Sequence, residues 1–213
     1  AIAAIRWDTC CVRPHLVAVQ AQLELFGAPQ AISMVRYDAG RYRTRIVQPD
    51  SLTLTSVLAE AEGAVAAVNA GYFNVKTLVP STFVRVGGRT VAATEAREEF
   101  RVNGVVAIKG RRVRIEPYVP ADDARLARRY RDALAAGPLL LCRGEALSYA
   151  DREGGFWGRH PRSVVGVTRQ GEAVRIVVDG RVPGQAAGMT IGELIYLVRQ
   201  LGLYAALNLD GGG

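Results

Sequence analysis

Lysine is nearly missing from this chain: Lys76 and Lys109 are the only two, so arginine carries the formal net charge of +7. A solvated surface accounts for such a surplus. So does attraction to anionic partners such as phosphodiesters, acidic glycans or nucleic acid, and charge alone does not choose between them. Cysteine is scarce too. Cys10, Cys11 and Cys142 make an odd count, which leaves open one long-range bridge from Cys10 or Cys11 to Cys142. There is no second cysteine pair, and His15 and His160 lie far apart, so the ligand spacing of a structural zinc site is missing. No apolar run reaches the roughly 18–20 residues that span a bilayer as a helix. The segment Ala1–Asp8 lacks a charged stretch followed by a long apolar one, the pattern of an export leader; a leader removed before Ala1 would leave the same start, so the compartment stays open. Repeats, low-complexity tracts and linkers are absent as well. The 213 residues therefore read as one domain, with residues 1–12 as a tail or edge segment.

What is present is mostly strand signal. Leu16–Leu25 alternates, with Val17, Val19, Ala21, Leu23 and Leu25 on one face and Gln20, Gln22 and Glu24 on the other, which predicts a half-buried strand. Ala31–Tyr37 and Tyr42–Val47 read as two more strands joined around Asp38-Ala39-Gly40. Ser51–Glu62 has helical spacing, with Leu54, Val57, Leu58 and Ala61 facing inward. Ala64–Asn69 is a short apolar run expected to be a buried strand. Gly87-Gly88 and Lys109-Gly110 mark the turns of two hairpins. The arginines at 111, 112 and 114 have no interleaved aromatic residue to stack on bases, so a solvated strand explains them better than a nucleic-acid surface. Asp122–Ala136 reads as a charged outer helix, with Leu126, Tyr130 and Leu134 as its apolar stripe. Leu139–Cys142 is a buried strand. Tyr149–Pro161, rich in glycine and charge, reads as a mobile loop carrying Phe156, Trp157 and His160. The fold class expected is α+β: a single domain with a mixed, largely antiparallel β-sheet core and a few packed helices.

The last third organises the rest. Two apolar runs end in Asp-Gly, at Asp179-Gly180 and at Asp210-Gly211. Between them Thr190 and Glu193 form a capping-box pattern, Ile191, Leu194, Ile195, Leu197, Val198 and Leu201 keep helical spacing, and Gly202 marks a stop. A short β run ending at Asp-Gly delivers a carboxylate to a sheet edge. The expectation is that Asp179 and Asp210 meet in one cleft.

The residues Asn69-Ala70-Gly71-Tyr72-Phe73, then Ala136-Gly137-Pro138, Arg162-Ser163 with Gly166, Asp179-Gly180-Arg181, Gly188-Met189-Thr190 with Glu193-Leu194, and Asn208-Leu209-Asp210-Gly211-Gly212-Gly213 occur in this order over about two thirds of the chain. Each piece alone is common. As an ordered set they resemble the phosphodiester glycosidase family, which has many bacterial members. The family pattern continues past the triple glycine into Ser or Thr and another strand, whereas this sequence runs to Gly213.

The resemblance implies a hydrolase that cleaves the anomeric C–O bond of a sugar-1-phosphodiester and releases free sugar and a phosphate monoester. It also implies work outside the cytoplasm, on a carbohydrate phosphodiester or anionic glycan, with no nucleic acid and no transmembrane segment. Such a reaction needs a carboxylate to activate water or attack the anomeric carbon, and cations to hold phosphate. Asp179 and Asp210 are the candidate carboxylates. His160 is a candidate donor to the phosphate or leaving oxygen. Arg162 and Arg181 are candidate phosphate grips, since a guanidinium contacts phosphate through two N–H groups at once. Asn69 would offer an amide to the substrate and Asn208 one to a sugar hydroxyl, and Tyr72 or Phe73 would wall the pocket. Gly211 and Gly212 would let backbone N–H groups approach an oxyanion. The capping role accounts for Glu193. No cofactor is required, although two carboxylates with an Asn could hold Ca²⁺ or Mg²⁺. The alternative is a non-catalytic glycan- or phosphate-binding module on the same scaffold.

Overall fold

The computed structural model describes residues 5–211. Strands β1 (Asp8–Arg13), β2 (Leu16–Leu25), β3 (Ala28–Asp38), β9 (Leu139–Cys142), β10 (Glu145–Ala146), β11 (Arg162–Thr168), β12 (Glu172–Val178) and β13 (Leu203–Leu209) form one sheet, in the order β1-β2-β3-β12-β11-β13-β9-β10. Strands β4 (Val84–Val86), β5 (Arg89–Ala92), β6 (Gly104–Lys109), β7 (Arg112–Pro117) and β8 (Asp132–Ala136) form a second, in the order β5-β4-β8-β6-β7. The strand pairings are antiparallel throughout both sheets. Helix α1 (Thr55–Ala61) lies before the second sheet, α2 (Asp123–Arg129) within it, and α3 (Ile191–Gln200) leads into β13. This is the α+β architecture the patterning predicts. Among the described residues no helix is long and apolar enough to cross a membrane.

Alternation builds the layers. Side chains on one face of the larger sheet (Tyr37, Val165, Ala173, Leu207) join the smaller sheet's Val105, Leu134 and Ile115 in one core. Those on the other face (Ile32, Val164, Val174, Ile176) pack under α3. Helix α3 buries Ile191, Leu194, Leu197 and Val198, each contributing about 2 kcal/mol by removal from water. Its predicted capping box is present: Glu193 N–H donates to Thr190 Oγ1 at 3.1 Å, and Thr190 N–H donates to Glu193 Oε2 at 2.9 Å. In the β4–β5 turn Gly87 and Gly88 take φ of 61° and 91°, the left-handed pair that a two-residue hairpin requires.

Several expectations are corrected. Asp122–Ala136 is not one helix: it ends at Arg129, and Asp132–Ala136 is the central strand of the smaller sheet. Ala133, Ala135 and Ala136 are 0% exposed, so burial on both faces overrides alanine's helix preference. Leu126 and Tyr130 of the expected stripe are buried as read. Tyr42–Val47 forms no strand, because β3 already pairs with β2 on one side and β12 on the other. Ala64–Asn69 is not a buried strand either. Ala64 to Ala67 are exposed, and the sides of neighbouring β13 are taken by β9 and β11. Helix α1 is shorter than its apolar spacing predicts and buries none of its residues; Leu54 and Val57 stand exposed. Of the two readings of residues 1–12, tail or edge segment, residues 8–13 take the second, as an edge strand; residues 1–4 lie outside the described residues. Cys10 and Cys11 lie on β1 and Cys142 on β9, six strand positions away, and all three thiols are free.

Candidate active site

Strand order explains how two distant acids reach one edge. Strand β11 lies between β12 and β13 and is antiparallel to both, so β12 and β13 run the same way and end together. Val178 stands opposite Arg162, and Leu209 opposite Ser163. Asp179 and Asp210 follow immediately, two strand spacings or about 10 Å apart along the sheet edge.

The glycine after each acid serves a close approach of backbones. A Cβ on Gly211 would lie 2.0 Å from the Pro161 carbonyl oxygen, and one on Gly180 would lie 2.6 Å from Pro161 N. Gly188 is similarly close to His160, at 2.4 Å from its carbonyl oxygen. The His160-Pro161 backbone thus threads between the two Asp-Gly ends, and only glycine fits against it.

The surroundings of the two acids differ. Asp179 N–H continues the β3 ladder by donating to Ala31 O at 2.9 Å. Its exposed carboxylate lines a hollow of about 440 Å³ with Arg6, Asp8, Gln20, Gln22 and Ser33. Asp210 stands one residue short of Asp179, in the row of Arg162 and Val178. Its backbone N–H donates to Ala70 O at 2.9 Å, and its carbonyl accepts from the Asn69 side-chain amide. Ser163 Oγ donates to Asn69 Oδ1 at 2.8 Å, fixing the amide's orientation. Asn69 therefore holds the Asp210 backbone in place.

Beneath Asp210 lies Tyr72, only 4% exposed. Its hydroxyl donates to Gly137 O at 2.6 Å and accepts from Asn208 Nδ2 at 3.1 Å. Burial raises the phenol's pKa well above its ordinary value; the charges of Arg101 and Arg162 oppose that rise, and the charge of Asp210 adds to it. Asn208 is fully buried, and its Nδ2 also reaches Gly137 O at 2.8 Å. It stiffens the floor under Asp210 and offers no exposed surface to a ligand.

Arg162 is 2% exposed. Its Nε donates to Met189 O at 2.9 Å, and its Nη2 to Phe156 O and Gly158 O at 2.8 and 2.6 Å. Burial lowers its pKa to about 10, with Arg181 adding to the fall and Tyr72 opposing it; it remains a cation at neutral pH. It fastens the 155–160 segment, which is pinned by aromatic packing rather than loose. Tyr149 stacks on Trp157 at 5.2 Å, and Phe156 meets Trp157 and Tyr72 edge-on at 5.3 and 6.2 Å.

His160 and Arg181 form a pair at the rim. Arg181 Nη2 lies 3.1 Å from His160 Nδ1, and His160 Nε2 lies 2.7 Å from Gly155 O. A guanidinium only donates and a carbonyl only accepts, so Nδ1 accepts and Nε2 carries the proton. Gly211 sits where expected at the end of β13, whereas Gly212 lies outside the described residues.

The sequence reading missed Arg101. Its guanidinium lies 3.9 Å from the centre of the Tyr72 ring. Glu98, itself 4% exposed, holds it through Nε and Nη2 at 2.7 and 2.5 Å and also accepts from Ser81 Oγ at 2.9 Å. The only local signal was the three-residue spacing of Glu98 and Arg101. Asp179 lines the hollow on the first three strands, and Asn208 is buried beside Tyr72. Among the described residues no group of three or more His, Cys, Asp or Glu side chains could hold a metal ion.

The family model for phosphodiester glycosidase matches residues 62–213, and the chain belongs to that family. Solved structures share the fold. A hypothetical protein from Synechocystis superposes with a TM-score of 0.67 at 18% identity, over 98% of this chain and 58% of that one. This chain thus spans less than two thirds of that protein's length. The catalytic domain of zebrafish N-acetylglucosamine-1-phosphodiester alpha-N-acetylglucosaminidase, auto-inhibited by its pro-peptide, gives 0.67 at 17% identity, over 97% of this chain and 76% of that one. A Burkholderia pseudomallei protein inferred to be exported gives 0.64 at 15% identity, over 88% of this chain and 68% of that one. At these identities the likeness is one of fold. No curated protein matches the chain.

Proposed function

We propose that this protein hydrolyses sugar-1-phosphodiesters at the anomeric C–O bond, releasing free sugar and a phosphate monoester. The observation that carries the reading is the setting of Asp210: an acid at a strand end, its backbone clamped by Asn69 and Ala70, above a buried tyrosine flanked by Arg101 and Arg162. Asp210 is the carboxylate that activates water or attacks the anomeric carbon. The anomeric C–O bond breaks, its electron pair leaves with the phosphate, and water supplies the sugar hydroxyl. Arg101, with Arg181 beside His160, supplies positive charge for the phosphate. Tyr72, Asn208 and Arg162 hold the floor and the adjoining loop in place.

Family membership and the fold shared with the zebrafish catalytic domain support this chemistry, and the fold shared with the Burkholderia protein inferred to be exported is in keeping with work outside the cytoplasm. The test is incubation with an N-acetylglucosamine-1-phosphodiester and identification of products by ³¹P and ¹H NMR. Free sugar plus a phosphate monoester supports the reading. Sugar-1-phosphate plus free alcohol would place cleavage at the wrong bond and overturn it. Binding without turnover would leave the non-catalytic module, a reading favoured by the occupation of Asn69 and Arg162 in protein contacts.

A further inference from the structure

The hollow at Asp179 has no part in the chemistry at Asp210, yet it is built from the sheet in an ordered way. Register places Asp8, Gln20 and Ser33 directly across from one another on β1, β2 and β3. Gln22, Ala31 and Asp179 form the next row toward the edge. Their chain neighbours alternate to the other face, where Trp7, Leu23, Ile32 and Val178 pack in the core under α3. At the far end of the same face, Leu16 and Tyr37 are covered by the core between the sheets. At this end nothing among the described residues covers the polar rows, and the surface is concave, with a volume of about 440 Å³.

We infer that this hollow is a saccharide subsite that takes an uncharged, hydroxyl-rich extension of the substrate; this rests on the sugar-phosphodiester reading above. Three features select that ligand. The lining side chains mix donors and acceptors: two amides, a hydroxyl, a guanidinium and two carboxylates. Amides and carboxylates on adjacent strands, about 5 Å apart, match the spacing at which neighbouring sugar hydroxyls are bridged. The charged groups are Arg6 against Asp8 and Asp179, a net negative charge that disfavours a second phosphate. The lining carries no large apolar side chain, which disfavours a lipid or aromatic group. The hollow also adjoins the reaction centre. Asp179 faces into it, and two residues later Arg181 is hydrogen-bonded to His160 at the rim of the Asp210 recess.

The experiment compares kcat/KM for an N-acetylglucosamine-1-phosphodiester with that for the same phosphodiester bearing a neutral trisaccharide, in the wild-type chain and in the double variant Gln20→Ala, Gln22→Ala. The expected ratio of extended to short substrate is about tenfold or more in the wild type, the worth of one or two net hydrogen bonds, and falls toward one in the double variant. An unchanged ratio in the variant, or a preference for a phosphorylated extension, overturns the inference. A direct readout separates this from failure of the parent reading. Calorimetric titration with tri-N-acetylglucosamine and with isomaltotriose is expected to show binding that weakens about tenfold in the double variant, whether or not any phosphodiester turns over. Absence of such binding in a protein that does hydrolyse phosphodiesters would sink the hollow alone. Absence of turnover with variant-sensitive binding would sink the reaction alone.

Discussion

Asp179 and Asp210 close two strands that run in the same direction on either side of β11, and each is followed by a glycine pressed against Pro161. Locally the two Asp-Gly ends are alike. Their surroundings are not. Asp179 looks onto a broad polar surface made by the first three strands. Asp210 is tied to Asn69 and Ala70 and lies over Tyr72, with cations supplied by Arg101 and Arg162. Two copies of one local motif thus acquire different surroundings from what folds against them, and a dipeptide read from sequence says where a carboxylate is delivered but not what it meets there.

The comparison breaks most sharply on the acids themselves. Asp210→Asn is expected to lower kcat on a sugar-1-phosphodiester by about 10³-fold, within the range for loss of a positioned acid or base. Asp179→Asn is expected to act mainly through KM, by about tenfold or less. Equal losses in kcat from the two variants would merge the recesses into one catalytic cleft. The glycines come next. Gly211→Ala and Gly180→Ala each push a methyl into the Pro161 backbone, at 2.0 and 2.6 Å. Urea unfolding is expected to show about 3 kcal/mol lost for the first and somewhat less for the second. If both are tolerated, the close packing of the two ends is not what positions the acids.

Arg101→Lys keeps the charge but loses the two-pronged hold on Glu98. It should cost about tenfold in kcat/KM on the phosphodiester while leaving saccharide affinity at the Asp179 hollow alone. A loss on both counts would mean that Arg101 acts through the whole fold. The smallest effect belongs to Tyr72→Phe, which removes one hydroxyl from a buried network. About 1 kcal/mol of stability is expected to go, readable as a shift in urea midpoint with little change in slope.

Much of the scaffold was legible because its signals are local. The alternation of Leu16–Leu25, the glycine pair at 87–88 and the Thr190–Glu193 box each specify an element within a few residues, and each element is present, although in the first Val17 is exposed and Leu16 buried. Strand β8 was not legible: Ala133 to Ala136 look helical until the strands on either side are known. Tyr42–Val47 has strand-like sequence and no free sheet edge to join. The same limit governs the site. Asn69, Tyr72, Arg162 and Asn208 were found, but their contacts run to Asp210, Gly137, Met189 and Tyr72, far away along the chain. Arg101 went unnoticed because its importance comes from an aromatic ring contributed by Tyr72.

The hydrogen bond from Asn69 to Asp210 joins residues 141 positions apart, and the one from Ser163 to Asn69 spans 94. Stitches of that length form only after the segment at Asn69 has docked on the larger sheet, since closing such long loops is slow and entropically costly. On the proposed reading, turnover is therefore a stricter witness to complete folding than any optical probe of backbone conformation. In mild denaturant, hydrolysis of a sugar-1-phosphodiester is expected to stop while the circular dichroism is still that of an intact β protein.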